Sequence, residues 1–199
     1  MKNKKLLIIS LISLVLFIIL LLNINNISSF DNQINNYITG IQTASLVSIS
    51  KIIGIIFEPL YIIIFSLLIS VIIFFLGKRK QAIFFALTIL VSGAILYVLK
   101  EIIQRARPEN SLISESWNSF PSGHALISLV LAGFIIYYLA SKIKSNNKKL
   151  IANIFLVILT LIIGFSRIYL NVHWFSDVLA SWLLGLFILS GAIAIYKLI

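Results

Sequence analysis

Six long apolar stretches of the chain contain no charged residue and show no alternation of polar and apolar positions. Most approach the roughly 17 to 25 residues that an α-helix needs to cross about 30 Å of hydrocarbon. Transmembrane β-strands would alternate apolar and polar side chains, so the pattern excludes a closed barrel. It predicts an all-α integral membrane bundle of six transmembrane helices, forming one domain over residues 1–199. The stretches are 6–22, 59–76, 82–99, 125–140, 150–166 and 178–196.

Composition supports this class: 60% of the 199 residues are hydrophobic and 11% are charged, which excludes a soluble domain. The net charge of +10 would suggest nucleic acid in a polar chain, but here it favours a bilayer with anionic lipids. The chain has no cysteine, which excludes disulfides, thiolate catalysis and cysteine metal sites.

The distribution of basic residues predicts the orientation of the helices. With the N-terminus inside, eleven of the sixteen Lys and Arg residues fall on the cytoplasmic side. This predicts cytoplasmic N- and C-termini in the plasma membrane. The first stretch lacks a small-residue cleavage site, so we interpret it as a retained anchor and not as a signal peptide.

The first outer loop, residues 23 to about 58, carries one amphipathic pattern. Ile34, Tyr37, Ile38 and Ile41 keep the i, i+3, i+4, i+7 spacing of a helix, which predicts a helix along the membrane interface. Such a helix either guards a lateral entrance for lipid or only ties two spans together. Glu58 followed by proline marks the start of the second span.

The outer face also concentrates the reactive groups. Both histidines and three of the four arginines lie in three short segments at the ends of predicted helices. Single ionisable residues in such places are often interfacial anchors, but a cluster of this kind indicates a site. The segments are Lys100 with Arg107-Pro108, then Pro121-Ser122-Gly123-His124, then Ser166-Arg167 with His173 and Asp177.

The cluster is suited to phosphate. Lys100, Arg107 and Arg167 supply three positive charges, and the two arginines are planar forks that match tetrahedral oxyanions. Proline is favoured at the first position of a helix, so Ser122, Gly123 and His124 are predicted to present free backbone N–H groups to an anion. The sequence therefore predicts a phosphate-binding site on the outer face.

His173 and Asp177 are four residues apart, which places the carboxylate and the imidazole on one face if the segment is helical. A carboxylate bonded to one ring nitrogen fixes the tautomer and leaves the other nitrogen free to attack. The alternative is that Asp177 only caps the start of a helix. A metal site is disfavoured, because His124 and His173 do not form an HExxH pattern and three nearby cations would repel a divalent ion.

The remaining polar and aromatic residues of the outer face are interpreted as surface features. Four loop charges are predicted to be solvated, and three tryptophans to form part of an interfacial belt. Trp117 and Phe120 are also candidates for lining an entrance for acyl chains. The loop charges are Arg105, Glu101, Glu109 and Glu115, and the tryptophans are Trp117, Trp174 and Trp182.

Three motifs in this order resemble the type 2 phosphatidic acid phosphatase family. They are Lys100 followed after six residues by Arg107-Pro108, then Pro121 to His124, then Ser166-Arg167 with His173 and Asp177. They define a core of residues 100–177, and the predicted helices resemble the membrane branch of that family over essentially the whole chain.

The resemblance implies a phosphohydrolase that needs no metal or other cofactor. His173 would attack phosphorus and form a phosphohistidine, with Asp177 orienting the ring and His124 protonating the leaving oxygen. Water would then release phosphate. The groups holding the phosphate oxygens would be Lys100, Arg107, Ser122, Gly123 and Arg167.

The implied substrate is a lipid phosphate drawn from the bilayer: phosphatidic acid, phosphatidylglycerol phosphate or a polyprenyl pyrophosphate such as the undecaprenyl carrier. Three alternatives stay open. The same site could pass the phosphoryl group to a lipid or sugar hydroxyl, or the protein could bind or transport lipid phosphates without chemistry. The motifs also resemble vanadate-dependent haloperoxidases, but those proteins are soluble.

Overall fold

The computed structural model describes residues 2–138 and 142–198, and within these residues the chain forms α-helices and no β-strand. The predicted all-α class is therefore confirmed. The eight helices are α1 (Lys2–Leu22), α2 (Ser28–Gly40), α3 (Ala44–Ile56), α4 (Pro59–Phe75), α5 (Arg79–Ile103), α6 (Gly123–Tyr138), α7 (Asn146–Tyr169) and α8 (Phe175–Tyr196).

Helix lengths do not confirm the predicted count of six spans. Among the described residues, α1, α5, α7 and α8 are long and apolar enough to cross a membrane, and α2 with α3 counts as a fifth span only if this pair, bent by 120°, is one broken span. The apolar helices α4 and α6 have 17 and 16 residues. The fourth predicted stretch ran to residue 140, and its last two residues lie outside the described part.

Local signals explain several helix boundaries. Glu58 and Pro59 open α4, as predicted, with the proline at a position whose N–H has no partner inside a helix. Beyond the end of α4, Gly77 has φ +79°, which favours glycine, and α5 begins two residues later. The Thr43 and Ser145 side chains cap α3 and α7 by accepting backbone N–H groups.

The bundle is built around α6, which packs against α4, α5, α7 and α8, while α1 packs along α8. Aromatic side chains fill the space between these helices. The rings of Phe85 and Phe134 stack with centroids 3.8 Å apart, and Phe17 stacks on Phe120. Phe120 is completely buried, so its predicted place at an acyl-chain entrance is wrong: it belongs to the core.

Large apolar side chains cover the outside of the bundle. Leu11, Ile72, Leu87 and Ile151, on four different helices, are each more than half exposed. Exposure of apolar surface on this scale is stable in lipid and not in water. Together with the apolar helices, it makes the chain a multi-pass membrane protein.

The segment between α1 and α4 folds as two helices, where the sequence predicts one. The predicted helix is α2, and its Ile38 is buried against α7 and α8 while Tyr37 is exposed. The second helix, α3, is absent from the prediction because serines and Lys51 interrupt its apolar pattern. Both helices pack on α7, so this segment is part of the bundle.

Candidate active site

The end of α5 and the loop after it are tied together by Lys100. Its buried ammonium donates to the carbonyl of Asn118, whose side-chain amide donates back to the Lys100 carbonyl at 3.1 Å. The helix stops at Gln104, which adopts a left-handed conformation with φ +48°. This turn directs the following residues, including Arg107, back over the end of the bundle.

The start of α6 brings the second motif to the same end. The helix begins at Gly123, two residues after Pro121, and Ser122, Gly123 and His124 are all buried. A Cβ at Gly123 would lie 3.0 Å from side-chain atoms of both Leu96 and Pro59, so the glycine lets three helices meet closely. The Ser122 hydroxyl makes no hydrogen bond within the described residues.

A tight turn between α7 and α8 presents His173. Asn171 takes φ +53°, which asparagine tolerates better than most residues, and the Val172 N–H donates to the Arg167 carbonyl at 3.2 Å. His173 thus precedes α8 and is not on its face. Asp177 still reaches it, because Asp177 Oδ2 accepts the Trp174 N–H at 3.0 Å and lies 3.4 Å from His173 Nδ1. Asp177 therefore caps the helix and also faces the imidazole.

These elements enclose a cavity of about 520 Å³. Nε2 of His173 lies 3.4 Å from Nη1 of Arg107. Ser122, Arg167 and Asp177 are buried but do not line this cavity. The predicted site residues that do line it are Lys100, Arg107, Gly123, His124 and His173.

Helix α3 supplies contacts to the site that the sequence did not predict. His124 Nε2 lies 3.1 Å from the carbonyl oxygen of Gly54, 3.2 Å from Arg167 Nη1 and 3.4 Å from a Glu58 oxygen. The Arg167 guanidinium rests directly over Gly54, where any Cβ would overlap it. Arg167 also lines a smaller cavity of about 200 Å³ together with Lys51, Glu58 and Glu115.

The surroundings of His173 favour a neutral ring. Burial lowers the pKa of His173 well below its usual value, and the nearby charges of Arg107, Lys100 and Arg167 lower it further. Its imidazole is therefore uncharged at neutral pH and has a free electron pair. Burial, and secondarily Glu115, raises the pKa of Glu58.

Two loop charges predicted to be solvated are only partly exposed and form ion pairs. Arg105 is 14% exposed and bridges the buried carboxylates of Asp31 and Asp177. Glu115 lies 4.0 Å from Arg107 and 3.9 Å from Arg167, between two of the predicted phosphate ligands. Glu101 and Glu109 are exposed as predicted. Of the tryptophans, Trp117 is exposed beside the cavity, and Trp174 donates its indole N–H to the Ala106 carbonyl at 2.8 Å.

One of the missed residues carries a sequence signal. Asp31, Ile34 and Ile38 follow i, i+3, i+7 spacing, which puts an acid on the buried face of α2. A carboxylate in that position needs a cationic partner. The partner, Arg105, is 74 residues away, so no local pattern identifies it.

The fold and the site define a helical multi-pass membrane protein with two buried histidines among cations at one end of its bundle. The chain belongs to the PAP2 superfamily, whose family model matches residues 81–198.

Three curated relatives show the range of similar proteins. Phosphatidylglycerophosphatase B of Bacillus subtilis is 40% identical over 92 residues, which is 45% of each chain. A probable lipid phosphate phosphatase 4 of Arabidopsis thaliana is 33% identical, over 40% of this chain and 27% of the relative. An undecaprenyl-diphosphatase of Sulfolobus acidocaldarius is 29% identical, over 58% and 55%. The matches thus span little more than half of these relatives at most.

Solved structures match over more of the chain. The transmembrane PAP2 type phosphatidylglycerolphosphate phosphatase of Bacillus subtilis is 28% identical, covers 96% of both chains and gives a TM-score of 0.83. Aquifex aeolicus LpxE is 22% identical, covers 84% of this chain and 93% of its own, and gives a TM-score of 0.61. The second likeness shows a shared fold.

Proposed function

We propose that the protein removes phosphate from a membrane lipid phosphate or pyrophosphate through a phosphohistidine on His173. The observation that carries this proposal is the position of the His173 ring. Its Nε2 faces Arg107 in the cavity, while its Nδ1 faces the Asp177 carboxylate 3.4 Å away. A proton on Nδ1 leaves the electron pair of Nε2 directed at the cation-lined cavity, as a nucleophile requires.

The reaction then has two steps. In the first, Nε2 of His173 forms a bond to phosphorus, the bond from phosphorus to the lipid oxygen breaks, and His124 gives that oxygen a proton. His124 takes this role in its imidazolium form, whose Nε2–H has two acceptors beside it, the Gly54 carbonyl and the Glu58 carboxylate, while Arg167 Nη1 at 3.2 Å favours release of the proton. In the second step, water attacks phosphorus, gives up its proton to His124, and frees inorganic phosphate and His173.

Charge on the phosphoryl group is balanced by the protein itself. Lys100 and Arg107 line the cavity, and Arg167, which lines the smaller cavity on the other side of Glu58 and Glu115, has two guanidinium nitrogens with no hydrogen bond within the described residues. Ser122, with its free hydroxyl, and the N–H of Gly123 at the start of α6 add further donors. These groups supply the electrostatic stabilisation for which many phosphatases use metal ions.

The cavity wall favours a lipid over a soluble phosphate ester. From the polar end, the cavity continues between α4 and α5 along apolar side chains, with Trp117 at its side. An amphiphile can therefore place its phosphate among the cations and its acyl or prenyl chain against this wall. The wall residues are Leu60, Ile63, Leu90, Gly93, Ala94 and Tyr97.

We further propose one domain of six spans, α1 and α4 to α8, with α2 and α3 on the outer side. The packing of α1 on α8 and of α4 on α5 joins the N-terminal helices to the family region. The site lies at the end of α5 opposite the basic turn of residues 78–80, and this separation supports a site outside the plasma membrane with both termini in the cytoplasm. Reporter fusions at both termini should give cytoplasmic signals, and an external signal would contradict this topology.

The test of function is release of inorganic phosphate by purified protein in detergent with excess EDTA. Phosphatidic acid, phosphatidylglycerol phosphate and undecaprenyl pyrophosphate are compared, with and without an acceptor alcohol, and His173→Ala is the control. The proposal predicts release from at least one lipid that the variant loses. Transfer to the alcohol in place of release would identify a phosphotransferase, and binding without turnover would identify a lipid-phosphate binding protein.

A further inference from the structure

A chain of three charged groups, Asp177, Arg105 and Asp31, runs from His173 to helix α2 and is largely buried. Arg105 donates to Asp177 Oδ1 at 2.6 Å and to Asp31 Oδ2 at 2.7 Å. Asp31 is 1% exposed and Asp177 is fully buried. No part of the proposed reaction as described above uses Arg105 or Asp31.

The second link of this chain passes through Ser176. Its backbone N–H donates to Asp31 Oδ1 at 3.0 Å, and its hydroxyl donates to Asp31 Oδ2. Arg105 also donates to the Ser176 hydroxyl at 2.7 Å. Asp31 therefore holds both the arginine and the first turn of α8, the turn that carries Asp177.

The two oxygens of Asp177 have different partners. Arg105 binds Oδ1, while Oδ2 accepts the Trp174 N–H at 3.0 Å and faces His173 Nδ1 at 3.4 Å. A carboxylate free to rotate would present either oxygen to the imidazole in several orientations. With Oδ1 held by a guanidinium and Oδ2 by the Trp174 N–H, the carboxylate has one orientation, which leaves Oδ2 3.4 Å from His173 Nδ1, a nitrogen with no hydrogen bond within the described residues.

We propose that Arg105 and Asp31 are positioning residues for His173: Arg105 fixes the orientation and charge of Asp177, and Asp31 fixes Arg105. This rests on the proposed function, in which Asp177 orients the attacking ring. The outer helix α2 thus contributes to the site through Asp31. Its deletion or displacement would act on the reaction without touching the cavity.

The net charge next to His173 distinguishes a positioning role from a purely structural role, because only a positioning role predicts a shift in the pH profile. Two carboxylates and one guanidinium leave a single net negative charge behind His173. Asp31→Asn removes that net charge, whereas Arg105→Gln doubles it. The other charged groups around the imidazole are unchanged by either variant: Lys100 from α5, Arg107 from the loop, His124 from α6, Arg167 from α7, and Glu58 and Glu115, which line the same cavity.

The two variants should therefore move the pH dependence in opposite directions. Activity that needs a neutral His173 is lost as pH falls through the pKa of that ring. Less negative charge behind the ring lowers this pKa, so Asp31→Asn should shift the acidic limb of kcat/KM to lower pH. Arg105→Gln should shift it to higher pH. Both variants should lower kcat by about 10- to 100-fold with KM nearly unchanged. This is the range of losses seen when the hydrogen-bond partner behind a metal-ligating histidine is removed.

The experiment measures kcat, KM, the pH profile and melting temperature for Asp31→Asn, Arg105→Gln, Arg105→Lys and the double variant Asp31→Asn/Arg105→Gln. The double variant restores the single net negative charge, so its acidic limb should return towards that of the wild type. Arg105→Lys keeps the charge but not the fork, so its limb should stay in place while kcat falls. Glu109→Gln, which removes an exposed carboxylate from the same loop, is the matched control.

Wild-type kcat in Asp31→Asn and Arg105→Gln would overturn the inference. A lower kcat with an unmoved limb in both would also overturn it, because the cluster would then only support the fold. If Arg105→Gln does not fold, the limb of Asp31→Asn decides. His173→Ala separates the two proposals: full turnover in that variant would refute the proposed function, whereas an inactive His173→Ala beside wild-type Asp31→Asn and Arg105→Gln would refute only this inference.

Discussion

Gly54 offers a perturbation that separates binding chemistry from stability. It lies in α3, and its Cα faces the guanidinium of Arg167, a side chain that is 1% exposed. A methyl group there would overlap Nη1 and come within 3.0 Å of Cζ and 3.2 Å of Nη2. Gly54→Ala must therefore displace the charged end of Arg167, the flexible part of that residue.

Gly54→Ala is expected to lower activity more than stability. A hydrogen bond to a charged group contributes about 1.5 to 3 kcal/mol, so removing the Arg167 contact to the phosphoryl group predicts a loss of about 10- to 150-fold in kcat/KM. Stability should fall by at most about 2 kcal/mol, because alanine favours a helix over glycine by about 1 kcal/mol while repacking costs about 1 to 3 kcal/mol. The displaced guanidinium would also lose its contact with His124 Nε2, with an effect on activity in the same direction.

The assay is phosphate release from the best lipid substrate, with melting temperature recorded in parallel. Gly40→Ala is the matched control, because Gly40 ends the neighbouring helix α2 and a Cβ there meets no atom within 4 Å. It should retain wild-type kcat/KM. If Gly54→Ala is as active as Gly40→Ala, Arg167 does not hold the phosphate from its position over Gly54.

Three other predictions concern the pH dependence, the metal requirement and the anion affinity of the site. Burial and the adjacent cations lower the pKa of His173, so the acidic limb of kcat/KM should lie below the ordinary histidine value of about pH 6.5. An acidic limb at or above that pH would contradict a buried neutral nucleophile. Excess EDTA should leave turnover intact, whereas a loss restored by Mg²⁺ would show a metal requirement. Glu115→Gln should tighten inhibition by vanadate several-fold, because the Glu115 carboxylate lies about 4 Å from both Arg107 and Arg167 and competes with an anion for these two cations. Weaker inhibition would mean that Glu115 instead holds the two arginines in position.

Sequence patterns predict the features that depend on neighbours along the chain. The helical class follows from uncharged apolar stretches, and the start of α4 follows from Glu58-Pro59. The start of α6 is predicted only to within two residues, because Pro121 precedes the first helical residue, Gly123, by two positions. The spacing of the family motifs predicts that Lys100, Arg107 and His173 belong to one site. In the structure all three line one cavity.

Contacts between distant segments are beyond such patterns. Arg105 and Asp31 are 74 residues apart, and each alone resembles an ordinary loop or surface charge. Gly54 enters the site because α3 lies against α7, and nothing in the interrupted apolar pattern of α3 predicts that packing. The count of six spans is not confirmed for a different reason: the described parts of α4 and α6 have 17 and 16 residues, which is at the lower limit of the length that crosses a membrane.

The central claim is a covalent phosphohistidine on His173, and rapid quenching with a phosphate-labelled lipid substrate tests it most directly. The account predicts a labelled protein within a single turnover, with label that survives base, is lost in acid and maps to His173. It also predicts no label in His173→Ala, while Asp177→Asn should accumulate label more slowly. Rapid turnover with no label on the protein, or label on a residue other than His173, would contradict the account.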